Sequence, residues 1–175
     1  MPRWDWGKPL SKLPTQCWIC HQWPVFSPIC ANCLNAHVKA QRRCTTCALV
    51  LPDKTPTPQC GACLRQNPPL AACWAAVDYA VPWRGLVHRW KLAQNPALAR
   101  AGAQLMRACL SLPAIAAQAD LLLPIPPAPE RARQRGFHHA LLLAQALRMG
   151  LPITPHALLR LPEASGQHQA LRKKQ

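Results

Sequence analysis

Eight of the ten cysteines in this 175-residue chain fall into four pairs, Cys17/Cys20, Cys30/Cys33, Cys44/Cys47 and Cys60/Cys63, each with two residues between the partners. Stretches of nine, ten and twelve residues separate the pairs. Two residues between cysteines let a tight turn aim both sulfurs at one point, and a second such turn facing the first completes the tetrahedron that Zn²⁺ prefers. Each pair is therefore half a site, and the expected cofactor is two structural Zn²⁺. Sequential pairing, with Cys17, Cys20, Cys30 and Cys33 on one ion and Cys44, Cys47, Cys60 and Cys63 on the other, closes the shortest loops. An interleaved cross-brace is the alternative. The rival chemistry, thiol–disulfide exchange, ordinarily uses one pair near a βαβ unit, with the attacking thiolate at a helix N-terminus. Four pairs in series do not fit that pattern. Cys73 and Cys109 stand alone among apolar neighbours and read as packing residues.

The elements that must position these sulfurs are turns. Pro24, Pro28, Pro52, Pro56 and Pro58 punctuate the loops between pairs, and Gly61 follows the first cysteine of the last pair. Little apolar sequence lies between residues 17 and 63 to build a core, so this segment is expected to need its metal to fold. Ten cysteines would also suit a disulfide framework, but only in an oxidising compartment. The N-terminal Met1-Pro2-Arg3-Trp4-Asp5-Trp6 lacks the apolar run of a signal peptide, and no window approaches the roughly 20 apolar residues of a spanning helix. The expected location is the cytoplasm.

Charge points to an anionic partner. There are 21 Lys and Arg against 6 Asp and Glu, a formal net charge of +15. Eight thiolates and two zinc ions together bring it to about +11, still strongly basic. Half of the residues are apolar, too many for a disordered basic tail, although 20 prolines imply many breaks. Basic residues condense after residue 130, as Arg131, Arg133, Arg135, Arg148, Arg160, Arg172, Lys173 and Lys174, against Glu163 alone.

Beyond the paired-cysteine segment over residues 14–66 and a linker at 67–73, the composition shifts, and residues 74–175 read as the start of an α/β domain. Trp74 to Val81 is β-like and ends at Pro82. Trp83 to Leu92 places Leu86, Val87 and Trp90 at helical spacing, with His88 on the solvated side. Asn95-Pro96 should start an amphipathic helix with Leu98, Ala101, Leu105, Cys109 and Leu112 on one face. Asp120 to Pro126 reads as a short buried strand, and Phe137 to Met149 as a buried helix capped by Gly150. The loop between them, Pro127 to Gly136, would lie at the carboxyl end of the strand, where open α/β sheets place ligands. Its Arg131, Arg133 and Arg135 can hold phosphate oxygens; the alternative is a solvated charge run.

Taken in order, the four cysteine pairs, Cys60-Gly-Ala-Cys-Leu-Arg-Gln-Asn-Pro-Pro69, Val77-Asp-Tyr-Ala80, Leu86-Val-His-Arg-Trp-Lys-Leu92, Leu123-Pro-Ile-Pro126 and Arg133-Gln-Arg-Gly-Phe137 resemble the ComF/GntX family. That resemblance implies a double zinc ribbon followed by a Rossmann-like, type I phosphoribosyltransferase domain, in proteins linked to competence, DNA uptake or the use of DNA. It implies that Pro126, Arg131, Arg133, Arg135 and Gly136 belong to a pyrophosphate-binding loop. Where the family usually has asparagine and glutamine after the phenylalanine, this chain has His138 and His139. The family's ribose-phosphate motif, two adjacent aspartates followed by a threonine- and glycine-containing loop, has no counterpart, since no two acidic residues are adjacent anywhere. Gln167 to Gln175 is similar to the stretch just upstream of that motif. The expectation is a truncated member without catalytic activity, Mg²⁺ and phosphoribosyl diphosphate being expected only for a full-length homologue. Residues from about 115 onward are then expected to be poorly packed or to need a partner chain. Single-stranded DNA or a DNA-processing protein is the expected partner; the second functional class is a zinc-ribbon adaptor without chemistry that contacts nucleic acid or protein. Trp18, inside a cysteine pair, is expected to pack over its zinc site rather than stack on bases.

Overall fold

The computed structural model describes residues 13–160, so the basic stretch at 167–175 lies outside the described residues. In chain order the helices are α1 (Ala31–His37), α2 (Gly61–Gln66), α3 (Trp83–Lys91), α4 (Leu98–Cys109), α5 (Leu112–Ala116), α6 (Pro129–Arg135) and α7 (His139–Leu147). Among the described residues β structure is confined to isolated bridges, Thr15 with Val25, Arg43 with Val50, and Leu122 with Ile153. None of the described helices is long and apolar enough to cross a membrane.

The amphipathic pattern of α4 governs the packing. It buries Leu98, Ala99, Ala101, Ala103 and Leu105. Small residues on this face bring the neighbours close: a Cβ on Gly102 would meet Leu143 Cδ1 of α7 at 3.3 Å and Trp90 Cζ3 of α3 at 3.8 Å. Helix α3 contributes Trp83, Leu86 and Trp90 to the same core, leaving His88 exposed as the sequence suggested. The Asn95 side chain accepts from the Ala97 amide at 3.1 Å, but the regular helix begins two residues later than the Asn95-Pro96 signal implies.

Several expectations are corrected. Trp74 to Val81 is irregular chain, because among the described residues no segment pairs with it and Asp78 is instead drawn to Arg43. Cys73 is exposed rather than packed, whereas Cys109 does lie partly buried against the core. The strand expected at 120–126 is reduced to the single parallel bridge at Leu122, where Leu122 N donates to Pro152 O at 2.8 Å and Thr154 N to Leu122 O at 3.0 Å. Pro124, Pro126 and Pro152 lack the amide hydrogens a longer ladder requires. Residues 129–135, expected as loop, form α6, with Pro129 in the first turn and Gly136 in the left-handed conformation (φ 71°) ending it. Helix α7 ends at Arg148, which itself takes the left-handed cap before Gly150.

Packing after residue 115 is better than expected for one element and as expected for another. Helix α7 seats on α4, where Ala103, Leu112 and Leu147 form a small core. Arg107 donates to the carbonyl of Ala146 at 2.9 Å, placing a cation at the α7 C-terminus, where its partial negative charge is. By contrast Leu121, Leu123 and Ile125 are exposed, so the bridged segment has one open side.

Candidate metal centres

Both tetracysteine groups are built by the same local steps. After Cys17 and after Cys44 the chain turns tightly, the amides of His21 and Ala48 donating to the carbonyls of Cys17 (3.0 Å) and Cys44 (2.8 Å). His21 and Ala48 both sit at φ 61°, the left-handed position that closes such a turn. The second pair of each group opens a short helix: Cys30 precedes α1 and Cys60 precedes α2, so Cys33 and Cys63 lie in the first helical turn. Cross-links repeat as well. Trp18 N donates to Pro28 O (2.9 Å) as Thr45 N does to Pro58 O (3.0 Å), and the hydroxyls of Ser27 and Thr57 donate to the carbonyls of Ile29 and Gln59, both at 2.8 Å.

These turns converge the sulfurs in the sequential grouping. Cys17, Cys20, Cys30 and Cys33 form one group and Cys44, Cys47, Cys60 and Cys63 the other, with the four Sγ atoms of each within 4.8 Å of one another. The Sγ separations for Cys17–Cys33, Cys20–Cys30 and Cys47–Cys60 are 3.8, 3.7 and 3.7 Å. A tetrahedron with metal–sulfur bonds of about 2.3 Å has edges of about 3.8 Å, so the donor set has the size for Zn²⁺. In each group three cysteines are buried and one, Cys20 or Cys47, is exposed.

Backbone amides prepare sulfurs in both groups for a cation, Cys17 in the first and Cys44 and Cys60 in the second. Burial alone would raise the Cys17 thiol, but amides of Cys30, Cys20 and Ile19 more than compensate and hold it down to about 6. Cys44 is held to about 6 in the same way, against burial, by the amides of Cys60, Cys47 and Thr46. Once one thiolate has formed, its neighbours resist ionising: burial and the adjacent sulfurs push Cys33 and Cys63 upward. A divalent cation relieves that conflict for all four. The described groups can therefore hold two zinc ions.

A short internal repeat, legible in the sequence, underlies the two groups. Ser27-Pro28-Ile29-Cys30-Ala31-Asn32-Cys33-Leu34 and Thr57-Pro58-Gln59-Cys60-Gly61-Ala62-Cys63-Leu64 align residue for residue. Their surroundings diverge at Ile29 and Gln59. Ile29 is fully buried in a core shared with α3 and α4, and the Gln104 side chain accepts from its amide (2.8 Å) and donates to its carbonyl (2.7 Å). Gln59 instead donates to the hydroxyl of Thr46 at 2.7 Å. Trp18 packs at the edge of the shared core, with the Arg89 guanidinium 5.9 Å from its ring centroid and donating to its carbonyl at 2.8 Å.

The arginine segment is arranged differently from the expected loop. Alternate positions on a helix point about 200° apart, so Arg131 and Arg135 share one side of α6 and Arg133 lies on another. Arg133 approaches Glu130 at 3.6 Å, both exposed. Arg135 is half-buried, its Nη1 3.3 Å from Nδ1 of His139, while Pro126 is half-buried upstream. His138 serves as the α7 N-cap, its Nδ1 accepting from the Leu141 amide at 3.0 Å, the role an asparagine side chain fills well. His139 stands edge-on to Trp90 with ring centroids 5.9 Å apart. Burial, then Arg135, Lys91 and His138, lower its pKa to about 4.

Fold and site together define a twin tetracysteine-knuckle protein followed by a helical unit with one parallel β-bridge. The chain is similar to the DNA utilization protein YhgH of Shigella flexneri and of Escherichia coli strain K12, each 28% identical over 146 residues. The match covers 77% of this chain and 61% of the relative, so the chain spans about three-fifths of the length of these curated relatives. No model of a known protein family matches the chain, and no solved structure does.

Proposed function

We propose that this chain is a ComF/GntX-type protein of the cytoplasm, serving DNA uptake or the use of DNA, in which a double zinc ribbon carries the start of a phosphoribosyltransferase-like domain. The match to proteins named for DNA utilization, together with the two tetracysteine groups, carries this reading. The order bridge at Leu122, helix α7, parallel bridge at Ile153 supports it, since strand, helix and parallel strand is the unit from which such domains are built. In this reading Arg131 and Arg135 on one side of α6, with Arg133, Pro126 and Gly136, contact diphosphate oxygens. With no adjacent acidic pair anywhere, the chain has no candidate for the ribose-phosphate motif.

A chimaera tests the reading. The matched region of the E. coli protein is replaced by this chain, and growth on DNA as sole carbon source is scored in a strain lacking the native gene. Growth is expected, together with loss of phosphoribosyl diphosphate binding in calorimetry when Arg133 and Arg135 become alanine. A chimaera that accumulates, retains zinc and does not restore growth overturns the reading. The second reading, an adaptor without chemistry, is favoured by Leu49 and Leu64, left exposed beside the second cysteine group; restored growth with no phosphoribosyl diphosphate binding would select it.

A further inference from the structure

Helix α3 carries four basic side chains, and among the described residues only one of them makes a side-chain hydrogen bond. Arg89 holds Trp18. Arg84, His88 and Lys91 are exposed and recur at i, i+4 and i+7, so they form one stripe about 10 Å long. Lys91 and His88 suit the C-terminal turn, where the helix dipole favours cations. Arg84 does not: it sits in the first turn, where the dipole disfavours a cation and no acidic residue offsets it. Among the described residues neither Arg84 nor Lys91 enters an ion pair, and α3 and α4 together contain no carboxylate. Helix stability thus gives no reason for Arg84.

A cavity adjoins the same end of α3. Its volume is about 260 Å³, and His37, Lys39, Gln41, Asp78 and Trp83 line it. That is just below the roughly 300 Å³ at which pockets for drug-sized ligands begin, so it suits one planar ring system rather than a whole nucleotide. The His37 ring meets Trp83 edge-on at 6.3 Å, and donors and acceptors of both signs face the cavity. Val81, which also lines it, and Tyr79 nearby in sequence are 80% and 66% exposed, an aliphatic and an aromatic side chain turned to solvent where the chain enters α3. The amide of Arg84 donates to the carbonyl of Ala80 at 2.7 Å, which fixes the stripe against this segment.

We propose that α3 and this cavity bind a single strand of nucleic acid, its phosphates along Arg84, His88 and Lys91 and one unstacked base in the cavity between the two cysteine groups. The combination of a cationic track with an aromatic-edged, base-sized recess is what single-strand binding uses, and a duplex would keep its bases out of reach. The inference rests on the DNA-linked reading above and adds to it the place on this chain where a single strand would lie, away from the arginines of α6.

The test is fluorescence anisotropy of the zinc-loaded chain with a fluorescein-labelled 20-nucleotide thymidine oligomer over a salt series. Binding is expected, and the double substitution Arg84→Gln/Lys91→Gln should weaken it roughly tenfold or more. The slope of log affinity against log salt should fall by about 1.4, since each single-strand phosphate contact contributes about 0.7. An abasic oligomer of the same length should bind roughly tenfold more weakly, the loss of one stacked base. Circular dichroism of the variant guards against misfolding, and Arg84→Lys should retain most of the affinity. Unchanged affinity and slope in the double variant, equal binding of the abasic strand, preference for duplex, or no binding of the oligomer at low salt would each overturn the proposal. The growth assay of the chimaera is read separately, so the DNA-linked reading can survive any of these results.

Discussion

The two cysteine groups share a turn, a helix start and a pattern of backbone cross-links, yet they have opposite relations to the rest of the chain. Cys17, Cys30 and Cys33 belong to one continuous core with Trp83, Leu86, Trp90, Leu98 and Leu105. Among the described residues Cys44, Cys60 and Cys63 share a core with Leu51 alone. The second group is fastened mainly by polar contacts: Arg43 to Asp78 at 2.9 Å, the Cys73 amide to Thr45 O at 3.0 Å, and Arg42 to the carbonyls of Thr55 and Thr57 within its own loop. One duplicated motif therefore has two uses. In the first copy the metal site is a corner of the helical unit; in the second it is a small satellite held by its own ligands. The position that divides them is Ile29 against Gln59.

The strongest way to break this comparison is to remove one ligand from each copy. A structural tetracysteine zinc site contributes on the order of 10 kcal/mol to folding at neutral pH, as much as a whole domain's net stability. Cys17→Ser should therefore lose the cooperative thermal transition of α3, α4 and α7, followed by far-ultraviolet circular dichroism. Cys44→Ser should keep that transition near its wild-type midpoint and open only residues near 42–66 to hydrogen exchange. Equal losses in the two variants would show that the copies are not divided as described.

A smaller effect isolates the dividing position. Ile29→Ala empties fully buried volume between the first knuckle and α4 and should destabilise by about 2–5 kcal/mol in denaturant titration, without zinc loss in the folded state. Gln59→Ala removes one hydrogen bond to Thr46 and should cost about 1 kcal/mol. If Gln59→Ala proved the costlier of the two, the contact of the first copy with the helices would not be what distinguishes it.

What the sequence revealed divides along the same line. Local signals were legible: cysteine spacing and loop closure led to the sequential grouping the structure brings together, and the apolar periods of 83–92 and 98–109 marked α3 and α4. Non-local facts were not. Nothing in Ile29 itself says that Gln104, 75 residues later, will bracket its peptide groups. The segments at 74–81 and 120–126 carried strand-like residues, but a strand exists only if another segment pairs with it, and prolines at 124, 126 and 152 limit the second to one bridge. The arginine run reads as loop because it follows a proline-rich stretch after the expected strand, whereas Pro129 sits in the first turn of a helix, where proline is favoured.

The smallest expected effect concerns acid and sharpens what belongs to the first copy's core. His139 lies against Trp90, a member of that core, and is held neutral with its pKa near 4, below the ordinary 6.5, chiefly by burial and then by Arg135. Its Nδ1 faces Nη1 of Arg135 at 3.3 Å, an arrangement that needs the ring's lone pair and is lost on protonation. Because the folded pKa is the lower one, the unfolded chain binds more protons between the two values. Stability from this residue is thus full above about pH 6.5 and declines as pH falls toward 4. Acid also releases zinc from thiolates, so the informative quantity is a difference between variants. His139→Gln, which keeps an acceptor for Arg135 but cannot titrate, should show a shallower loss of stability between pH 6.5 and 5 than wild type, measured by urea titration with zinc in excess. Parallel pH profiles would mean that His139 does not titrate against the fold, and that the acid sensitivity of the shared core resides in its cysteines alone.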